Sequence, residues 1–178
     1  MKRTKAYGLM AEFDSVHALL DAAHRTLEAG YKRIDAYSPF PVEGLAEAIG
    51  FDHDEVPLVV LIGGLIGGLT GYLMQYWISV VSYPVNVGGK PYHSWPSFIV
   101  VTFEMTILFG GISAVLGMLA LNGLPMPYHP VFNVPRFAMA TKDRFFLIVF
   151  STDAKYDRTG TRQFLESLGP RSIAEVPS

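Results

Sequence analysis

The sequence contains no cysteine, and this absence removes several classes of function. Without thiolates the chain cannot form disulfides, thiolate zinc sites, cysteine-ligated iron–sulfur clusters, CxxCH haem attachments or a cysteine nucleophile. Charge is also scarce: Asp, Glu, Lys and Arg make up 17% of the residues, against roughly 25% in soluble domains. The formal net charge of −2 provides no excess of positive charge, so nucleic acid is not an expected partner.

The shortage of charge is concentrated in the middle of the chain. From residue 57 to residue 121 the only charged side chains are Lys90 and Glu104. Two long apolar runs occupy this region. As helices they would be roughly 39 and 36 Å long, enough to cross a hydrocarbon core of about 30 Å. The sequence therefore predicts two transmembrane helices, over residues 56–81 and 98–121.

The first apolar run is rich in glycine, with five glycines in nine residues. A phosphate-binding loop needs a lysine and a hydroxyl soon after its glycines, but the next lysine is Lys90, which precedes a proline. In a membrane helix, glycines instead allow a second helix to approach closely. The predicted helix-packing residues of the two runs are Gly63, Gly64, Gly67, Gly68, Gly71, Gly110, Gly111 and Gly117.

These glycine faces have two possible uses. The two helices could pack on each other as a hairpin, or one face could bind a helix of another subunit. Two adjoining rows of glycine on one helix exceed what a single partner helix needs, which favours both uses together.

The distribution of positive charge predicts the orientation of the hairpin. Of the fourteen Lys and Arg residues, six precede the first run, seven follow the second and one lies in the loop. The loop, residues 82–97, is rich in aromatic residues, as is typical of a membrane interface. By the positive-inside rule both termini are expected in the cytoplasm and the loop in the periplasm.

The segment before the first run, residues 1–55, has the pattern of a strand, a helix and a second strand. A strand is predicted over residues 5–13, and a helix from Ser15 with Asp14 as its N-cap. Gly30 is expected to end this helix. A second strand follows over residues 31–39, and a short helix leads to the membrane.

The pattern returns after the second run. Residues 144–153 predict a strand, residues 161–169 a helix and residues 172–177 a closing strand. Two strand–helix–strand halves form the split βαβ arrangement, a four-stranded antiparallel sheet with two helices on one face. The expected fold class is therefore α+β, with a ferredoxin-like cytoplasmic domain interrupted by a two-helix transmembrane hairpin. Residues 122–178 provide the connector and the second half of that domain.

No arrangement of residues indicates a catalytic or metal site. The histidines lie outside the apolar runs, so they cannot be axial ligands of a haem embedded in the membrane. No Ser/His/Asp arrangement and no HExxH motif occurs. The sequence thus predicts no catalytic, cofactor-binding or metal-ligating residue. The five histidines are His17, His24, His53, His93 and His129.

Glu104 is the exception among the residues of the apolar runs. It lies about seven residues, or roughly 10 Å, inside the second predicted helix. A carboxylate at this depth is costly and usually faces a protein partner or a water-filled cavity. It could be a hydrogen-bonded residue that ties the helix to a neighbour, with Thr102 or Thr106 contributing. It could also be a station on a proton path or a neighbour of a quinone site.

Five stretches follow one another over nearly the whole chain: "YGLMAEFDS", "GYKRIDAYSPFPVEGLAEAIG", "SYPVNVGGKPYHSWPSFIVVTFEMTILFGG", "LNGLPMPYHPVFNVPRFA" and "FLESLG". The loop motif "NVGGKPYHSWP" together with "YHPVFNVPRF" is specific. In these stretches the chain resembles the D subunit of alternative complex III, the bacterial quinol:electron-acceptor oxidoreductase unrelated to the bc1 complex.

The resemblance implies an accessory subunit of a respiratory complex in the bacterial inner membrane. In this family, cytochrome and iron–sulfur subunits carry haem c and the clusters, and two large multi-helix subunits form the quinol site. The D subunit contributes two helices and a cytoplasmic α/β domain, in contact with those subunits and with membrane lipids, and binds no cofactor itself. An alternative from another class is an independent glycine-zipper membrane protein that forms homo-oligomers.

Overall fold

The computed structural model describes residues 6–51 and 54–178. Along the chain, two strands precede a pair of long helices and two strands follow it. Contacts divide the chain into two compact units: one joins the segments before and after the helix pair, and the other is the pair with its loop. The strands are β1 (Ala6–Phe13), β2 (Ile34–Tyr37), β3 (Phe145–Phe150) and β4 (Ser172–Pro177). The helices are α1 (Val16–Glu28), α2 (Leu45–Ala48), α3 (Val56–Tyr76), α4 (Trp95–Leu121) and α5 (Arg158–Ser167).

The first unit is built on a four-stranded sheet with the order β2-β3-β1-β4. Every neighbouring pair of strands is antiparallel. In the register of the sheet, Met10 of β1 lies opposite Ile148 of β3 and Ala174 of β4. Because β1 lies between two strands that follow the helix pair, the sheet cannot form until both ends of the chain are present.

Both faces of this sheet are covered. On the first face, α1 and α5 pack on side chains that alternate along β1 and β3. Their core includes Leu9, Ala11, Phe13, Leu19, Ala23, Leu147 and Leu165. The second face is covered by two 3₁₀ segments of the connector, Pro130–Asn133 and Pro135–Thr141. Val131, Val134 and Phe137 of these segments pack with Met10 and Ile148 of the sheet. The sequence predicted a connector here but not that it covers the second face of the sheet.

The predicted N-cap of α1 is wrong by one residue. Ser15 is the cap: its Oγ accepts a hydrogen bond from the backbone N–H of Ala18 at 3.2 Å. The carboxylate of Asp14 instead pairs with Arg144 and Arg171. Both Ser and Asp are good N-caps. Ser15 takes this position because the Asp14 carboxylate is bound by two arginines that follow the helix pair in the sequence.

The bounds of the long helices also differ from the predicted ones. The first helix begins at Val56 as expected, but its last turns, Trp77–Ser82, have π-helical hydrogen bonding. The second begins at Trp95, three residues before the predicted Phe98. Its first turn contains Pro96, and proline is well accommodated there because its missing N–H would have no helical partner.

A buried carboxylate ties the connector to the sheet. Glu12 of β1 is 1% exposed. Arg136 of the second 3₁₀ segment donates to both carboxylate oxygens, from Nε at 2.6 Å and from Nη2 at 2.5 Å. Ser172 of β4 donates a further hydrogen bond at 2.8 Å. Arg144 and Arg171 also lie within 4 Å of Glu12, with N–O distances of 3.8 and 3.9 Å.

These contacts lower the pKa of Glu12. The hydrogen bonds from Arg136 are the largest cause, and they are opposed by burial and supported by Ser172 and the nearby guanidinium charges. Because the pKa is lower in the folded state, the interaction stabilises the fold fully above the ordinary glutamate pKa of 4.5. The stabilisation is lost as the pH falls below that value and through the lowered pKa.

We expect Glu12→Gln to lower the free energy of unfolding of the first unit by about 2 kcal/mol, because charge-assisted hydrogen bonds to a buried group are lost. The measurement is chemical unfolding of the detergent-solubilised chain at neutral pH, followed by circular dichroism. Asp14→Asn is the matched control: Asp14 pairs with Arg144 and Arg171, which also lie near Glu12, but its side chain is 55% exposed. It should cost less than about 0.5 kcal/mol.

The difference between wild type and Glu12→Gln should narrow as the pH is lowered below 4.5, because only the wild-type side chain becomes protonated. Equal losses in Glu12→Gln and Asp14→Asn, or a difference that does not change with pH, would contradict a buried ion pair that stabilises the fold.

Candidate functional site

The helix pair is held together along a glycine face of α3. A methyl group placed on Gly67 would overlap the backbone carbonyl oxygen of Met105. One placed on Gly63 would overlap the hydroxyl of Ser113. The lack of Cβ atoms at these two positions therefore allows the backbones of α3 and α4 to approach closely. The buried glycines of α3 are Gly63, Gly64, Gly67 and Gly71.

The other predicted packing glycines are placed differently. At Gly68 and Gly117 a Cβ atom would lie 2.7 and 2.8 Å from the nearest side-chain atom of the other helix. At Gly110 it would lie 4.0 Å from the Cα atom of Gly64. Gly111, by contrast, is exposed, and its Cβ position has no atom within 4 Å. The structure thus brings the predicted set to the contact between α3 and α4 except for Gly111.

Gln75 supplies a polar link between the two helices that the sequence analysis missed. Its side-chain Nε2 donates to the carbonyl oxygen of Phe98 at 3.0 Å and lies 3.4 Å from the Thr102 hydroxyl. It also lies 3.1 Å from the carbonyl oxygen of Gly71 in its own helix. A side-chain amide inside an apolar run was the available signal, because such a group in a membrane needs hydrogen-bond partners.

A second polar contact joins α3 to the loop that connects the two helices. The Tyr72 hydroxyl lies 2.6 Å from Nε2 of His93. The imidazole ring also packs edge-on against Tyr76, with 5.3 Å between ring centroids, and near Phe98 at 5.9 Å. His93 therefore orders the loop against both helices.

Glu104 does not join this contact. It is exposed, and it has no hydrogen bond or ion pair with any residue that the structure describes. Thr102 and Thr106 lie on the side of α4 that faces α3, where the Thr106 hydroxyl donates to the Thr102 carbonyl oxygen at 2.8 Å. The structure therefore places these threonines on another face of α4 from Glu104.

The outer surfaces of the pair are apolar and exposed. Val56–Ser82 and Trp95–Leu121 are each long and apolar enough to cross a membrane, and only 17% and 6% of their most apolar windows are buried. The core helix of a soluble protein would be mostly buried, so the exposure of α3 and α4 does not fit that of core helices. Large exposed side chains include Leu58, Leu61, Leu65, Leu69, Ile99, Phe103, Ile107 and Leu116.

The histidines do not converge on a site. His17 and His24 are exposed on α1, and His129 lies 3.3 Å from the Tyr7 hydroxyl. His53 lies outside the described residues. Within residues 6–51 and 54–178, no three His, Cys, Asp or Glu side chains are close enough together to hold a metal ion.

We expect Gly67→Ala to destabilise the helix pair by about 1–3 kcal/mol. The new methyl group would overlap the Met105 carbonyl oxygen, which belongs to the backbone, and the Cβ atom of Phe109. Gly64→Ala is the matched control, since its Cβ would make an ordinary contact at 3.6 Å with Thr106. Both variants are compared with wild type by thermal unfolding in detergent. Unchanged stability of Gly67→Ala would show that the two helices are not in close backbone contact.

The comparisons with known proteins identify a family for this chain. The chain matches the family model described as "Alternative complex III, ActD subunit" over residues 7–175. A search of curated proteins gave no match. The match covers nearly the whole chain and includes both the sheet unit and the two apolar helices. The chain therefore belongs to the ActD family, the D subunits of alternative complex III.

Proposed function

We propose that this chain is a non-catalytic subunit that supports the assembly of alternative complex III by packing its two helices against the large membrane subunits that bind quinol. The observation that carries the proposal is the exposed apolar surface of α3 and α4. The two helices bury the glycine face between them and leave most of their other large side chains uncovered. Lipid and neighbouring membrane helices are the surroundings that such a surface fits.

Both helices are proposed to cross the inner membrane, with both termini in the cytoplasm. The sheet supports this topology, because β1 precedes the hairpin while its partners β3 and β4 follow it. Strands of one sheet must lie on one side of the membrane. The excess of Lys and Arg outside the hairpin supports the cytoplasmic side.

We also propose that the sheet unit is a ferredoxin-like domain. The strand order β2-β3-β1-β4 and the helices after β1 and β3 support this assignment. In this role the domain would be a cytoplasmic support with protein partners and no substrate.

The absence of cysteine from the sequence supports a role without redox chemistry in this chain. Haem c is attached through cysteine thiolates, and iron–sulfur clusters are held mainly by them. We therefore assign the haem c groups and iron–sulfur clusters of the complex to partner subunits. The structure supports a homo-oligomer of the glycine-zipper type less well, because the buried glycines of α3 already pack against α4 of the same chain.

The proposal is tested by purifying the complex from a strain that lacks this chain, with the wild-type gene restored as the control. We expect preparations that lose further subunits or dissociate at lower temperature. Fractions that stay intact should retain the haem spectrum and quinol oxidation per haem. A complete complex of normal stability would contradict an assembly role. Loss of quinol oxidation from an otherwise complete complex would contradict a non-catalytic one.

A further inference from the structure

One face of α4 consists of exposed residues. Glu104, Leu108, Gly111 and Val115 follow a spacing of four, three and four residues, which places them on one side of a helix. All four are exposed. The residues of α4 that contact the glycines of α3 lie on the opposite side: Thr102, Met105, Thr106, Phe109 and Ser113. We refer to the first four residues as the outer face.

A shallow, open groove on the surface of α4 overlaps the outer face and includes Gly111 in its lining. The groove has a volume of about 530 Å³. It is lined by Ile107, Leu108, Gly111, Ile112, Val115 and Leu116. The other glycines of α4, Gly110 and Gly117, lie against α3, and that contact explains why they lack a Cβ atom. At Gly111 no atom lies within 4 Å of the Cβ position, so the chain itself gives no reason for a glycine there.

Glu104 lies on the same face, seven residues from Gly111, which is roughly 10 Å along the helix axis. It is the tenth of the 27 residues of α4. A carboxylate that faces lipid well inside a span costs about 3 kcal/mol or more, and it requires a hydrogen-bond donor or water. No such donor comes from the residues described here, although Gln75 in the same hairpin has its partners.

The groove and Glu104 together indicate what kind of partner binds to the outer face. An apolar groove whose lining includes a glycine fits the side chains of another transmembrane helix. Glu104 fits a hydrogen-bond donor, neutral or cationic, about two helical turns away on that helix. A second copy of this chain fits poorly, because two outer faces packed in parallel would bring Glu104 against Glu104.

We propose that the outer face of α4 binds a transmembrane helix of another subunit of the complex, with a side-chain donor on that helix bonded to Glu104 and its backbone closest at Gly111. This inference rests on the proposed assembly role and names the surface that performs it. Glu104 then acts as a hydrogen-bond acceptor in an interface.

The test uses the whole complex, purified through a tag on a haem-carrying subunit. Gly111→Leu fills the groove, Glu104→Leu removes the acceptor and Glu104→Gln retains it. We expect the amount of this chain per haem to fall about tenfold in the two leucine variants, equivalent to about 1.4 kcal/mol. It should stay near the wild-type level in Glu104→Gln and in the control Thr70→Leu, which changes an exposed position on α3.

A photo-crosslinking residue at Leu108 provides a second readout that does not depend on how well the leucine variants fold. Its expected product is a covalent pair of this chain with a different subunit. Crosslinks to lipid alone or to a second copy would overturn the proposal. So would wild-type amounts of the chain in both leucine variants. The assembly role would survive those results, since it is tested separately by the strain without the chain.

Discussion

The close contact between two helix backbones is the interaction on which the hairpin depends. In lipid, apolar side chains gain little by moving from the bilayer to another helix, so the stability of a pair comes from dispersion and from hydrogen bonds. Both require short distances. Gly67 allows the Met105 carbonyl of α4 to lie directly against α3, and Gln75 then bonds to the Phe98 carbonyl across the same contact.

The sheet unit imposes a second constraint. Its central strand β1 comes from the start of the chain, and its neighbours β3 and β4 come from the end. The Glu12–Arg136 ion pair also joins these two segments. The segments before and after the helix pair are thereby joined in one folded sheet.

The sequence was sufficient for the features that depend on local pattern. The apolar runs, the four strands and the glycine at the end of α1, Gly30 with φ of +91°, follow from spacing and residue type. The sequence was insufficient for features that depend on contacts between residues far apart in the chain. Arg144 and Arg171 draw Asp14 away from the cap that Ser15 takes. Similarly, the sequence does not separate Gly111 from the glycines that meet α3, because that difference depends on how the two helices are rotated about their axes.

We propose that both helices cross the bilayer and return the chain to its original side. Single cysteines test it directly, because the sequence contains none. Val87→Cys in the loop and Ser178→Cys at the end of the chain are treated with a membrane-impermeant maleimide in sealed spheroplasts. With the loop in the periplasm and both termini in the cytoplasm, we expect position 87 to be labelled at once and position 178 only after lysis. Labelling of both positions, or of neither, in sealed spheroplasts would contradict it.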